Sequence, residues 1–312
     1  MNARAARWLR VLVPVLATSA LALGTVGADA APGRVPAAHT ASTARVTSAP
    51  SCNPHASSLR PSGPPQVTPG SFMAKIRARG YLIAGVDQST YHFGFLNPLN
   101  GQIEGFDIDM IRAVAQAIFG NPNKVQFKAI TDAQRIPDIL SGAVDIVAHT
   151  MTITCARLQQ VDFSSVYFDA AQRVLVLKNS PAKSLTDLKG QKVCATTGSD
   201  SLSVIAKAGA VPVAVPYWTD CLVLLQQGDV AAISTDDSIL DGLAAQDPWT
   251  KLVGGRLTDE PYGLAISKQY PEFVRFVNAV LAQLRSDGQW AASYRDWIGT
   301  PVPPQQPVQY SD

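Results

Sequence analysis

Apolar residues recur along this chain at two spacings, and the alternation between them lays out the fold. Short unbroken runs at 81–86, 125–129 and 144–148 read as buried strands. Between them the spacing turns helical. Ile108, Ile111, Ala115 and Ile118 form one stripe, with Asp107 placed to cap its start and Gly120 to end it. A shorter helix is predicted over 136–140, and Ser71 is placed to cap a helix that ends at Arg79 before Gly80. The β-α-β-α-β order predicts a parallel sheet with helices outside. A second unit repeats the pattern, with strands over 174–177, 192–195 and 230–234 and helices over 201–208 and 221–227. Pro271 then opens an amphipathic helix to Arg285, whose Phe273, Phe276, Val277, Val280, Leu281 and Leu284 share a face. A closing helix over 290–298 precedes a Pro-rich tail.

The chemistry concentrates after the run at 144–148. Thr150, Thr152 and Thr154 fall on alternate positions, which in an extended chain turns three hydroxyls to one side. Arg157 follows where the strand gives way to a turn. An arginine beside a hydroxyl-lined edge suits holding a small carboxylate in two parallel hydrogen bonds. A solvent-exposed Thr-rich strand with a surface arginine fits the same spacing.

The N-terminus has the pattern of an export signal. Arg4, Arg7 and Arg10 precede a mostly apolar stretch over 11–27, and Ala28-Asp29-Ala30 forms a small-x-small site. Cleavage is predicted after Ala30, with a retained membrane anchor as the alternative. No cysteine follows closely enough for lipid attachment. Residues 31–70 are rich in Ala, Pro, Ser and Thr and poor in large apolar side chains, which predicts a flexible linker. Cys52 is the one residue there expected to be tied down. The whole chain has 312 residues, 46% hydrophobic and 16% charged, with net charge +2. That balance gives no reason to expect a nucleic-acid partner, and the length suits two domains.

The stretches TMTITCAR (150–157) and VDFSSVYF (161–168) resemble the TxTxxR and DFS-PYY signature of the polar amino-acid-binding proteins of bacterial import systems, a family of extracytoplasmic solute-binding proteins. The likeness continues at GFDIDMIRAVAQAIFG, LSGAVDIV, SLTDLKGQKV, STDDSIL and PYGLAIS, and covers roughly residues 79–298. It is nearest to the glutamate- and aspartate-type members of actinobacteria. The resemblance implies an α/β fold of the two-lobed periplasmic-binding-protein type. Each lobe is then a mainly parallel sheet flanked by helices. Lobe one would comprise 71–170 with 264–300, lobe two 171–263, and 301–312 would form the tail. Two hinge crossovers are expected near 169–173 and 258–263, with the ligand at the carboxyl ends of the strands.

On that division Cys194 and Cys221 both fall in lobe two, leaving Cys52 and Cys155. Of the three possible pairings this favours 194–221 with 52–155, free buried thiols being the alternative. No cofactor and no metal site is implied.

The resemblance also assigns a site. Arg157 would take an α-carboxylate with Thr152 beside it, and Thr150 and Asp236 would take the ammonium. Gly198 and Ser199 match a carboxylate-contacting turn at a helix start. Asp200 and Asp237 read as helix caps. Asp87 and Tyr91 are expected lid or side-chain contacts. Arg135, in AQRIPDIL, is similar to an arginine that meets the side-chain carboxylate in acidic amino-acid binders, whereas a carboxylate at Asp87 would repel one. The expected order of ligands is glutamate, aspartate, glutamine, asparagine. The expected partner is the membrane permease of an ABC importer, or a membrane sensor, served by a monomer. The alternative is an enzyme on the same scaffold, resembling cyclohexadienyl dehydratases, for which only His92 among the four histidines is placed to enter the cleft.

Overall fold

The computed structural model describes residues 52–312. The predicted signal segment, its cleavage site and the first part of the linker lie outside the described residues.

Two five-stranded sheets carry the molecule. The first runs in the order Val125–Ala129, Leu82–Val86, Ile146–Ala148, Ala265–Ile266, Asp162–Phe163. Its first three strands are parallel, and Ala265–Ile266 joins antiparallel. The second runs Val211–Val215, Lys192–Thr196, Ala232–Asp236, Gln172–Leu177, Thr250–Val253, with Gln172–Leu177 antiparallel to its neighbours. The chain crosses between them through Phe168–Ala170 and returns through Glu260–Tyr262, and these two segments pair antiparallel as a hinge. Each sheet sits on its own apolar core. The helix Pro271–Ser286 packs on the first core through Phe273, Phe276, Val277, Val280 and Leu281.

Local chemistry accounts for most boundaries. Ser71 Oγ accepts from Ala74 N at 3.2 Å at the start of the helix Phe72–Arg79, and Gly80 closes it in the left-handed conformation. Asp107 behaves otherwise than expected. The helix begins at Phe106, and the buried Asp107 carboxylate leaves the helix end for the loop opposite.

The linker reading needs correction over 52–70. Cys52 is disulfide-bonded to Cys155, as Cys194 is to Cys221. Ser58 Oγ donates to Phe163 O at 2.7 Å, and Leu59 and Val67 pack against the first core. Asn278, fully buried, ties this segment down: Nδ2 donates to Ser58 Oγ at 2.7 Å and to Leu59 O at 2.6 Å, while Oδ1 accepts from Ser165 N at 2.6 Å. The tail joins the same place, with Ser311 N donating to Ser58 O at 2.9 Å and Arg275 paired to Asp312 at 2.5 Å. Low apolar content predicted freedom, but partners more than 100 residues away supply the order.

Asn278→Ala would strand a buried N–H and two buried oxygens. We expect a loss of about 2–4 kcal/mol, from the cost of unsatisfied buried groups. Urea denaturation checks this, and a change below about 0.5 kcal/mol, the scale of a neutral surface substitution, would show that the strap is not held through Asn278.

Candidate functional site

Strands of both sheets end at one cleft. Ile146–Ala148 leads to Thr150, Lys192–Thr196 leads to Gly198, and Ala232–Asp236 ends on Asp236 itself. Between them lies a nearly closed pocket, with about 10 Å³ of free space, lined by residues including Arg135, Thr150, Thr152, Arg157, Asp200, Trp218 and Asp236.

The lobes meet around it. Thr196 Oγ1 donates to Asp132 Oδ2 across the cleft. Gly198, at φ +91°, packs so closely on lobe one that a Cβ there would lie 2.7 Å from Ala133 Cα. At the rim, a Cβ on Gly242 would lie 2.7 Å from Tyr91 O. Both contacts require glycine for backbone to approach backbone.

Arg157 sits in the short helix Cys155–Leu158, whose first turn is capped by Thr154 Oγ1 accepting from Arg157 N at 3.2 Å. Its guanidinium is held by main chain: Nη1 donates to Thr152 O at 2.7 Å, and Nη2 reaches Gly198 O and Asp200 Oδ1, both at 3.4 Å. The Nη2 contacts are long, which leaves that edge available to a carboxylate. Asp200 therefore faces Arg157 and makes no side-chain cap.

The alternating Thr pattern is not a strand. Thr150 has φ +42°, a rare conformation for a β-branched residue. Asp107 holds it there, accepting from Thr150 N at 2.8 Å and from Tyr167 Oη at 2.6 Å. Burial pushes the Asp107 carboxyl up to about 6, although both donors work against the rise. Thr150 Oγ1 is buried without a hydrogen-bond partner, and so is Nε1 of Trp218. Both residues line the cavity. Buried polar groups are rarely left unmet, and here two residues that line one small space each carry one.

Asp236 accepts from Tyr262 Oη at 2.6 Å. Burial, then the neighbouring Glu260 carboxylate, holds its carboxyl well above the usual range. Glu260 is pushed up to about 7 by burial and then by Asp200. Asp237, read from the sequence as a cap, accepts from Ser238 N at 2.9 Å and from Ala171 N at 3.1 Å at the hinge.

Arg135 also lines the cavity but is engaged. It is 3% exposed, and Nη1 pairs with Asp132 Oδ1 at 2.7 Å. The same guanidinium donates to His149 O at 3.1 Å and Gly198 O at 3.3 Å. Burial would raise Asp132, but Arg135 first, with His149 and the Thr196 hydroxyl, holds it below the usual range.

Two expected contacts do not reach the cavity. Asp87 accepts from Ser89 N at 2.8 Å and Ser89 Oγ at 2.9 Å, and from Gln88 N and Thr90 Oγ1, so its carboxylate is spent on its own turn. Tyr91 is 38% exposed at the rim. Ser199 lines the cavity, but its hydroxyl donates back to Thr196 O at 2.9 Å.

Sequence comparison accounts for this architecture. The model of the Bacterial extracellular solute-binding proteins, family 3, matches residues 82–300. This chain belongs to that family. Among family 3 relatives, the "ABC transporter glutamine-binding protein GlnH" of Bacillus subtilis (strain 168) is 39% identical over 229 residues, 72% of this chain and 84% of that one. The "Glutamate/aspartate import solute-binding protein" of Salmonella typhimurium (strain LT2) is 28% identical over 250 residues, 76% of this chain and 82% of that one. In structure this family 3 protein matches an ancestral arginine-binding protein bound to glutamine with TM-score 0.67 and 37% identity, over 71% of this chain and 99% of that one.

Gly242→Leu should keep the lobes from closing while leaving the helix Asp237–Gln246 intact, since glycine costs a helix about 1 kcal/mol. Distances between spin labels on the two lobes report this. The shortest wild-type distance should vanish in the variant. Identical distributions would show that closure does not pass through this contact.

Proposed function

We propose that this family 3 solute-binding protein is exported and captures a neutral polar L-amino acid, L-glutamine first, for delivery to an ABC importer. The observation that carries the choice of ligand is the Arg135–Asp132 ion pair. A glutamate side chain needs a free cation, because a buried, uncompensated carboxylate costs several kcal/mol. Arg135 has already spent its charge on Asp132. Asparagine, glutamine and other uncharged side chains need none. An amide presents one acceptor and two donors, which matches the unmet Trp218 Nε1–H and Thr150 Oγ1. Arg157 is the group for the α-carboxylate and Asp236 for the ammonium. This order places glutamine ahead of glutamate, the reverse of what Arg135 suggests when read without its partner. The names of the relatives support the same order, glutamine-binding at 39% identity against glutamate/aspartate at 28%.

The enzyme reading gains no support from the histidines. His149 lies beneath the cavity with Nε2 3.0 Å from Ile130 O, and His92 turns toward the Trp297 main chain, where burial lowers its pKa. Turnover of arogenate or prephenate would restore that reading.

Thermal denaturation with each of the twenty amino acids tests the proposal. Glutamine should give the largest shift, a ligand at 100 times its Kd adding about 2.7 kcal/mol. A larger shift with glutamate would overturn the ligand choice. Arg157→Ala should abolish every shift, since it serves the group common to all. Asp132→Asn should release Arg135 and move the glutamine-to-glutamate preference toward glutamate by at least about tenfold, or 1.4 kcal/mol. Calorimetry with both ligands reads the ratio.

A further inference from the structure

We propose that Glu260 is the second acid of the ammonium site, and that the Asp236–Glu260 pair holds one proton in the empty cleft and releases it to solvent when the ligand's ammonium enters. The inference rests on the amino-acid reading above and adds a residue and a proton to it.

The two carboxyl groups come from different parts of the fold. Asp236 ends a strand of the second sheet, and Glu260 stands in the returning hinge segment. Tyr262, two residues after Glu260, donates its hydroxyl to Asp236 and also forms a bridge with Thr152. The hinge thus brings Glu260 beside both the ammonium acid and the Thr152–Arg157 stretch. Glu260 is 4% exposed. Oε1 accepts from Thr258 Oγ1 and the Thr152 hydroxyl also favours the ionised carboxyl, whereas Oε2 is sealed from solvent with no donor within hydrogen-bond distance. A buried carboxylate oxygen with no donor is unstable as an anion.

The charged and titratable groups acting on the pair are Asp200 and Arg157 and, for Asp236, Tyr262 and Arg135. The cations among them are Arg157, which is spread over Thr152 O, Gly198 O and Asp200, and Arg135, which is paired with Asp132. Two neighbouring acids whose nearby cations are both already engaged keep a proton between them. An incoming ammonium supplies the missing charge and N–H donors. The carboxyl O–H then breaks, its proton passes to water, and the ammonium N–H groups take its place.

The sign follows from that order of events. The empty site is the protonated form and the liganded site the ionised form, so binding strengthens as pH rises. Where about one proton leaves per ligand, affinity changes about tenfold per pH unit. Most binding sites for zwitterions built on a single ionised acid would show no such slope near neutrality.

Calorimetric titration of L-glutamine into the full-length protein at pH 7, in phosphate and in Tris, counts the protons. Wild type should release between about half a proton and one per ligand, and Kd should fall steadily from pH 6 to pH 8. Glu260→Gln removes the second acid while keeping its shape. It should reduce the release by at least about half and flatten the pH dependence, and Glu260→Asp should restore both. Equal heats in the two buffers for wild type would overturn the inference and leave the amino-acid reading intact. Unchanged release in Glu260→Gln would overturn the role of Glu260. If no amino acid gives heat of binding, both readings fall together. Should Glu260→Gln fail to fold, the wild-type buffer pair still decides whether a proton leaves.

Discussion

Two guanidinium groups and four carboxyl groups converge on one small, nearly closed space. The cations are Arg135 and Arg157; the acids are Asp132, Asp200, Asp236 and Glu260. Matching those charges without water is the constraint on which the rest of the structure depends. One arginine is matched outright by Asp132. The other is left between main-chain carbonyls and a half-committed Asp200. The remaining acids lean on the Tyr262 and Thr258 hydroxyls. The sheets, the hinge and the capped turn at Arg157 serve to hold this arrangement against its own repulsion. An α-amino acid, which carries both signs at fixed spacing, resolves it where a simple ion would not.

Backbone geometry sets a second condition. Gly198 lies against Ala133 at a distance that leaves no room for a side chain, and its left-handed conformation turns its carbonyl oxygen toward both arginines. One glycine thereby joins the lobes and orients the charged groups. The strain at Thr150 acts in the same sense. Asp107 and Tyr167 hold a β-branched residue in a conformation it would not adopt alone, and its hydroxyl is left buried without a hydrogen-bond partner.

Much of this was legible in the sequence, and the failures have physical causes. The strand Val125–Ala129 and the long helix from Pro271 follow from apolar period and caps, within a residue or two. Arg157 and Thr152, singled out by spacing, and Asp236, singled out by the resemblance, all line the pocket, and Gly198 adjoins it through its carbonyl. Arg135 also lines the pocket, but its ion pair with Asp132, three residues earlier, is visible only in the folded protein. The Thr alternation looked like a strand because nothing local announces a positive φ at Thr150. Asp200 and Asp237 looked like caps because Asp beside a helix start usually is one. Here distant groups, Arg157 and the Ala171 N–H, compete successfully for their oxygens. The strap over 52–70 was invisible for a related reason: Asn278 is an ordinary polar residue until the fold delivers Ser58 and Leu59 to it. Glu260 and Trp218 carry no motif at all, and only burial marks them.

The hinge has a mechanical consequence. When one body turns about a pivot, points near the pivot hardly travel, while points at the rim sweep an arc. Asp236 is fastened to Tyr262, which belongs to the hinge segment itself. The Tyr91–Gly242 contact lies at the rim. A small opening rotation therefore parts the rim first and disturbs the Asp236 end last. Opening becomes a sequence in time, in which the doorway parts while the Asp236 end of the cleft is still in place.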